Sequence, residues 1–317
     1  MTDPLLFSGP PVCIVGNLNR DVKLFNVPGS GALCQDGETS VSGVVETVGG
    51  GGANSACMAA SLGAQVRFAG KTGADGLGQR LAEAMEKLGV RLHLARQAGC
   101  QTGTSVALNF STGHRHFLSC LPNSESLRFE DLDLTALEGC AHLLRADVWF
   151  APAMLEGGNE RLLAEARRRG LATSLDINFD PRWSSGARQE IARRKKLLRQ
   201  TLAWVDMAHG NIRELCEFTD SADLNTALRR LADDGIRSVV VHLGKEGAGY
   251  YTGGQLLVEP AQPARRVVNS TGSGDLLSMC MILLHGRDDL SIRQKLSLSN
   301  GVVREFMEGR RTMIALI

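Results

Sequence analysis

The chain has 317 residues, of which 43% are hydrophobic and 22% are charged, and its formal net charge is +1. This composition is that of a folded protein of about two domains, and the near balance of charge argues against a dedicated nucleic-acid binder. No apolar run approaches the ~20 residues that span a bilayer, and the first residues lack the pattern of a signal peptide. The eight cysteines are scattered without a CxxC pair. We therefore expect reduced thiols, a cytoplasmic location and no membrane partner.

Most of the chain alternates strand-like and helix-like segments. Continuous apolar runs such as 12–16 are typical of parallel strands that are covered by helices on both faces. This alternation predicts an α/β protein with a mostly parallel sheet wrapped on both sides. The predicted strands are 12–16, 66–69, 147–151, 171–176, 205–209, 238–243 and 248–251. The predicted helices are 54–62, 77–88, 159–169, 188–202, 212–218, 223–234, 275–285 and 291–307.

Two segments, 22–48 and 99–125, interrupt this pattern. Their apolar and polar residues alternate with a period of two, and the second segment has a glycine turn at 111–113, which is typical of a hairpin. We therefore predict that the two excursions pair into one small β-sheet that projects from the α/β body. The body would comprise residues 1–21, 49–98 and 126–317.

The glycine-rich segment from Asn269 to Asp275 leads directly into a predicted helix. Free N–H groups and the positive end of the helix dipole hold a phosphate or a developing negative charge at such a turn. Asp275 in the first helical turn can remove a proton from an alcohol that attacks the phosphate. The alternative is an ordinary N-terminal cap, in which Asp275 complements the dipole.

Two more polar segments lie near the first strand and the first helix. Asn19 and Asp21 follow the first strand, at the edge where open α/β sheets bind ligands, and both can contact sugar hydroxyls. The four glycines at 49–52 allow a ligand to approach the backbone, and Asn54 adds an amide that can bind a polyol. The alternatives are a polar turn and a flexible loop, respectively.

Later in the chain, Asn211 and Glu214 share one face of a first helical turn. Glu214 can orient Mg²⁺ through water, or the two residues can form a capping pair. Gly244 and Gly247 follow the predicted strand 238–243, where they either let a nucleotide approach the backbone or form a tight hairpin turn.

In this order, and over nearly the whole chain, these segments resemble the ribokinase-like, or PfkB, family of carbohydrate kinases. Its two signatures correspond to residues 49–90 and 270–275. The resemblance implies a three-layer α/β/α core with a small β-sheet lid. It also implies a cytoplasmic enzyme that uses ATP and Mg²⁺ to phosphorylate a hydroxyl of a sugar or sugar-like substrate, and a homodimer formed through the lid.

The resemblance also implies roles for single residues. Asp275 would be the catalytic base, and the amides of Gly272, Ser273 and Gly274 would form an anion hole. The substrate would be bound by Asn19, Asp21, Gly50, Gly51, Asn54 and Glu156. The nucleotide and its phosphates would be bound by Asn211, His242, Gly244, Gly247, Thr271 and Asn300, and Glu214 would hold Mg²⁺ through water.

The chain also departs from the family pattern. Asn269 stands where many members have an aspartate that helps to hold a monovalent cation, which leaves K⁺ activation open. His242 replaces the usual threonine, and Gly51 replaces a lysine of ribokinases proper. In a stretch that resembles fructokinase and ketodeoxygluconate kinase relatives, Asp180 stands where arginine is expected, with Arg182 as a candidate substitute. Two alternatives therefore remain: a nucleoside kinase of the same fold, and a catalytically silent ligand-binding relative.

Overall fold

The computed structural model describes residues 4–29, 33, 35–178, 186–268 and 270–311. Its strands are β1 (Val12–Val15), β2 (Asn19–Val27), β3 (Gly43–Gly49), β4 (Val66–Gly73), β5 (Val90–Gln97), β6 (Thr104–Phe110), β7 (Arg115–Cys120), β8 (His142–Arg145), β9 (Ala172–Asp176), β10 (Met207–Asn211), β11 (Ser238–His242), β12 (Ala248–Thr252) and β13 (Gln255–Glu259). Its α-helices are α1 (Gly51–Ser61), α2 (Gly76–Glu86), α3 (Pro122–Glu125), α4 (Asn159–Arg168), α5 (Arg188–Thr201), α6 (Ile212–Phe218), α7 (Leu224–Asp233), α8 (Ser273–Leu283) and α9 (Ile292–Met307).

Nine strands form the central sheet in the order β13-β12-β11-β10-β9-β8-β1-β4-β5. The seven strands from β11 to β5 are mutually parallel, whereas β12 and β13 are antiparallel to their neighbours. Helices α4–α7 pack their apolar residues on one face of this sheet. Helices α1, α2, α8 and α9 cover the other face. The buried strands are therefore apolar on both faces, which explains their continuous apolar runs.

The remaining strands form a separate four-stranded sheet in the order β3-β2-β6-β7, which we call the lid. Because side chains alternate along a strand, the lid has two distinct faces. Asp21, Lys23 and Phe25 of β2 lie on the face that we call inner, and Arg20, Val22 and Leu24 lie on the outer face. The inner face contacts the body, since Nη1 of Arg115 donates a hydrogen bond of 2.5 Å to Oγ1 of Thr271.

The α/β fold class is confirmed, and helix 212–218 begins and ends where the sequence predicted. The prediction of a strand at 147–151 was wrong, because the strand is β8 and the chain turns immediately after it. Asp147 has a positive φ of 56°, which ends the extended conformation. The sequence analysis did not predict β5, an edge strand in which half of the residues are polar or charged.

In the described part of the chain, no helix combines the length and the apolar character that a membrane span requires. The seven cysteines in this part are all free.

Candidate active site

Polar side chains from four neighbouring strands gather at one edge of the central sheet. Asp176, Asn211 and His242 each end one of three adjacent parallel strands, β9, β10 and β11. Asp147 follows the neighbouring strand β8 by two residues. This is the carboxyl edge of the parallel strands, where ligands of open α/β sheets bind.

The glycine run between β3 and α1 is required by close backbone packing. A Cβ atom on Gly52 would lie 2.7 Å from Cα of Gly16, and a Cβ atom on Gly50 would lie 2.3 Å from the carbonyl oxygen of Asn17. Gly50 also has a φ of +94°, in the region that favours glycine. The run therefore lets the N-terminus of α1 approach the end of β1 rather than forming a flexible loop.

Asp147 holds this junction together and was not singled out in the sequence. Its Oδ2 accepts hydrogen bonds of 2.8 Å from the N–H of Asn17 and 2.7 Å from that of Gly52. Its Oδ1 accepts a bond of 3.0 Å from the N–H of Gly51. Gly50 has no side chain to cap α1, so a carboxylate from distant sequence caps the helix instead. A lone aspartate after an apolar run carries no sequence motif that would have revealed this role.

Three of the predicted substrate-binding residues lie beside this junction. Asn19 is buried and donates a hydrogen bond of 2.9 Å from Nδ2 to Oδ1 of Asp21. Burial raises the pKa of Asp21 to about 6, although the charge of Lys23 and the hydrogen bond from Asn19 oppose this effect. Oδ1 of Asn54 is buried without a hydrogen-bond partner among the described residues. The site therefore offers polar atoms that a polyol can satisfy.

The turn that precedes α8 presents its backbone amides at the same edge. Gly272 caps the helix with a φ of 86°, and Asp275 is the third residue of α8. A Cβ atom on Gly274 would lie 2.8 Å from Nδ1 of His242, whose Nε2 lies 2.9 Å from Oγ of Ser278. Burial lowers the pKa of His242 to about 4, so the imidazole is neutral. His242 therefore packs under the amide turn, and only glycine fits above it.

The carboxylates at this edge influence one another. Burial raises the pKa of Asp275 to about 7, and the charges of Asp147 and Glu214 act in the same direction. The pKa of Asp176 is also raised, by burial and then by the charges of Asp275, Glu214 and Asp147. Neighbouring carboxylates oppose the ionisation of one another. Such a group of carboxylates therefore favours a bound cation or a proton that can be transferred.

Asn211 and Glu214 form a reciprocal capping box at the start of α6. Oδ1 of Asn211 accepts a hydrogen bond of 3.0 Å from the N–H of Glu214. Oε2 of Glu214 accepts one of 2.7 Å from the N–H of Asn211. The two residues therefore form a capping pair, and the charge of Glu214 also raises the pKa of Asp275.

A cavity of about 450 Å³ opens beside the amide turn. Nδ2 of Asn300 donates hydrogen bonds of 3.0 Å each to the carbonyl oxygens of Glu259 and Pro260, which shapes the cavity wall. Gly247, with a φ of +112°, lies so close to Glu259 that a Cβ atom would be 2.2 Å from its carbonyl oxygen. Of the residues that the sequence assigned to the nucleotide, four line this cavity: His242, Gly244, Gly247 and Asn300.

The structure does not bring Glu156 into this group. Its exposed carboxylate lies 3.0 Å from Nη1 of Arg193 on α5. Asn269, Asp180 and Arg182 lie outside the described residues.

A sequence model of the pfkB family of carbohydrate kinases matches residues 11–278. The chain belongs to the pfkB family of carbohydrate kinases. This pfkB kinase is 25% identical over 283 residues to the ribokinase of Arabidopsis thaliana, a match that covers 84% of the chain and 68% of the relative. It is 30% identical over 247 residues to the bifunctional protein HldE of Alkalilimnicola ehrlichii, a match that covers 73% of the chain. The chain spans only 46% of the length of that HldE.

Solved structures share the fold of this pfkB kinase. A putative ribokinase II from E. coli superimposes with a TM-score of 0.80 at 18% identity, covering 96% of this chain and 94% of that one. Arabidopsis thaliana ribokinase complexed with ribose and ATP has a TM-score of 0.77 at 21% identity, with 96% and 95% covered. Adenosine kinase from Sinorhizobium meliloti has a TM-score of 0.78 at 20% identity, with 94% of each chain covered.

Proposed function

We propose that this sugar kinase transfers the terminal phosphoryl group of ATP to a hydroxyl of a sugar or sugar-like acceptor, with Asp275 as the base. The observation that carries the proposal is the position of Asp275 in the first turn of α8, beside the amides of Gly272, Ser273 and Gly274. The 450 Å³ cavity lies on one side of this turn. Met58 of α1, the helix that begins at the glycine run, packs against Gly272.

Each side of this arrangement would perform one part of the reaction. ATP would occupy the cavity, and the amides of the α8 turn would receive its transferring phosphoryl group. Asn19, Asp21 and Asn54, with the backbone at Gly50 and Gly51, would orient the acceptor. Asp275, whose raised pKa of about 7 suits proton transfer near neutral pH, would accept the proton of the attacking hydroxyl.

The charge of the site fits Mg²⁺, which prefers oxygen ligands. The negative charges of Asp147 and Glu214 contribute to the raised pKa values of Asp176 and Asp275. Oδ1 of Asn178 is buried without a hydrogen-bond partner among the described residues. Glu214 and Asn178 would hold the cation, in part through water. When bound, Mg²⁺ would neutralise the charge that develops on the phosphoryl group.

The lid would exclude water from this reaction. The hydrogen bond from Arg115 to Thr271 joins the inner face of the lid to the amide turn. A closed lid prevents hydrolysis of ATP by water, which competes with phosphoryl transfer to the acceptor.

A panel of acceptors with coupled detection of ADP tests the proposal. We expect ADP release in the presence of Mg²⁺ that depends on an added pentose, hexose, sugar phosphate or sugar acid. The same panel with and without K⁺ measures the effect of the monovalent cation. Binding of ATP and an acceptor without ADP release would instead establish the catalytically silent alternative.

A nucleoside kinase is the second candidate, because two aromatic rings lie on the inner face of the lid. Phe25 and Phe117 are 39% and 47% exposed there, so both are free to stack on a base. Including nucleosides in the panel separates the candidates. If only nucleosides are phosphorylated, the acceptor is a nucleoside and not a sugar.

We also propose that two copies of the chain associate through the outer faces of their lids. Val44 and Leu118 are 57% and 56% exposed on this face, beside Val22 and Leu24. A sheet face this apolar gains free energy when a second copy covers it.

We expect sedimentation to give twice the chain mass of 34.0 kDa for the wild type. The variant Leu118→Asp should give a monomer, because it buries a charge in the interface. Val258→Asp, on the edge strand β13 where Val258 is 40% exposed, is the matched control and should remain dimeric. A monomeric wild type at micromolar concentration would refute the dimer.

A further inference from the structure

Lys23 lies on the inner face of the lid, and no carboxylate among the described residues is close enough to form an ion pair with it. It follows Asp21 by two residues along β2 and is half-buried. No described residue accepts a hydrogen bond from its ammonium group or forms an ion pair with it. Burial lowers the pKa of Lys23, the charge of Asp21 raises it, and the charge of Arg115 lowers it again. Partial burial weakens the hydration of this ammonium group, so an anion that binds it competes with less water than at a fully exposed lysine.

Arg115 adds a second positive charge to the same face. In the strand register, Lys23 is in line with Ala107 and Phe117, and Arg115 is in line with Asn109 and Phe25. These two rows are successive on the inner face, since Lys23 and Phe25 are two residues apart. Although strand β6 lies between them, the charge of Arg115 on β7 acts on Lys23 of β2 and opposes its positive charge. An anion between Lys23 and Arg115 would remove this repulsion and stabilise both side chains.

The inner face is oriented towards the cleft in which the reaction would take place. Arg115 reaches Thr271 of the amide turn. At the other end of the same face, Asp21 packs so tightly on the glycine run that a Cβ atom on Gly49 would lie 2.1 Å from its Oδ1. Lys23 lies between these two points, one inward-facing position further along β2 than Asp21. Lys23 would therefore face an acceptor that is bound by Asp21.

Among the described residues of this face, Asp21 is the carboxylate, and it forms no ion pair with Lys23. Its Oδ1 accepts a hydrogen bond of 2.9 Å from Nδ2 of Asn19, at the base of the lid. The two positive charges therefore exceed the negative charge on the described inner face.

We propose that the acceptor carries an anionic group, a phosphate or a carboxylate, that Lys23 binds with the help of Arg115. This inference rests on the proposed kinase function and names its substrate class. The compact ammonium group of lysine binds such an anion as a point charge, and the guanidinium group of arginine offers it paired donors. The anionic group would lie at the lid end of the acceptor, and the hydroxyl that is phosphorylated would face Asp275.

Matched acceptors that differ only in charge test this assignment. The wild-type enzyme would be assayed with a neutral sugar, its phosphate monoester and its sugar acid, and binding of each would be measured by calorimetry. We expect kcat/KM to be highest for one of the two anionic acceptors, and the comparison of ester with acid identifies which anion is bound.

Lys23→Met keeps the apolar stem of the side chain and removes its charge. Because a hydrogen bond to a charged group contributes up to a few kcal/mol, we expect kcat/KM for the anionic acceptor to fall by about 10- to 100-fold. We expect this loss to appear as a higher KM for the anionic acceptor, whereas kcat/KM for the neutral sugar should change little. Lys23→Arg should partly restore kcat/KM for the anionic acceptor. Lys87→Met, on the exposed C-terminal end of α2, removes the same charge elsewhere and should behave as the wild type.

The failures of the two proposals are distinguishable. If no acceptor yields ADP, the kinase proposal fails, and calorimetry still shows whether an anionic sugar binds more tightly than its neutral counterpart. If the neutral sugar is used or bound as well as both anionic forms, the assignment of Lys23 is overturned while the kinase function stands. An equal loss for all acceptors in Lys23→Met would also overturn it.

Discussion

Replacing Asp275 by asparagine is expected to lower kcat by about 10²- to 10⁴-fold, the usual contribution of a general base. Asparagine keeps the size and polarity of the side chain but cannot accept a proton from the attacking hydroxyl. The fold and the cavity should be unchanged, because no main-chain hydrogen bond of the α8 turn is made by this carboxylate among the described contacts. The measurements are steady-state kinetics with the best acceptor, and ATP binding by calorimetry.

The pH dependence gives an independent readout of the same group. Burial and the neighbouring carboxylates raise the pKa of Asp275 to about 7. A base acts only when it is ionised, so kcat/KM of the free enzyme should fall as the pH drops below about 7, by about tenfold per pH unit. Raising the Mg²⁺ concentration should move this fall in kcat/KM to lower pH, because a cation favours the ionised carboxylate. A rate that stays constant from pH 8 to pH 5, or an Asp275→Asn variant with full turnover, would contradict the assignment.

Replacing Asp147 by alanine is expected to lower the free energy of unfolding by about 3–5 kcal/mol, because it leaves buried N–H donors without an acceptor. The three donors are the main-chain N–H groups of Asn17, Gly51 and Gly52. They join the end of β1 to the start of α1, so acceptor binding should weaken together with stability. Urea denaturation measures the first effect, and calorimetry with the best acceptor measures the second.

Asp75→Ala is the matched control for this variant. Asp75 also accepts hydrogen bonds from two main-chain N–H groups, those of Gly78 and Thr102, but it caps α2 rather than α1. Its loss should cost about 1–2 kcal/mol, the typical range for an N-terminal cap, and should leave the affinity for the acceptor intact. Two outcomes would contradict the role of Asp147 in joining β1 to α1. One is an Asp147→Ala variant that is no less stable than Asp75→Ala, and the other is one that binds the acceptor as the wild type does.

Structural features that are determined by residues close together in the chain could be predicted from the sequence. The strand and helix alternation predicted the layered α/β body, and the two excursions with period-two alternation correspond to the lid strands. The turn from Ser270 to Asp275 was predicted to start a helix, and α8 begins there at Ser273. The capping pair of Asn211 and Glu214 was also predictable, because both partners lie within one helical turn. Such features need only the local backbone conformation, which nearby residues determine.

Contacts between segments that are distant in the chain could be identified only from the tertiary structure. Asp147 caps a helix that begins 96 residues earlier in the chain. In the sequence, its surroundings resembled a buried strand, which led to the incorrect prediction at 147–151. Lys23 and Arg115 come from different strands of the lid, and they face the same side only because of the register between β2, β6 and β7. A shift of one residue in that register would turn either charge to the outer face, so strand pairing, rather than residue type, determined which charges lie on the inner face of the lid.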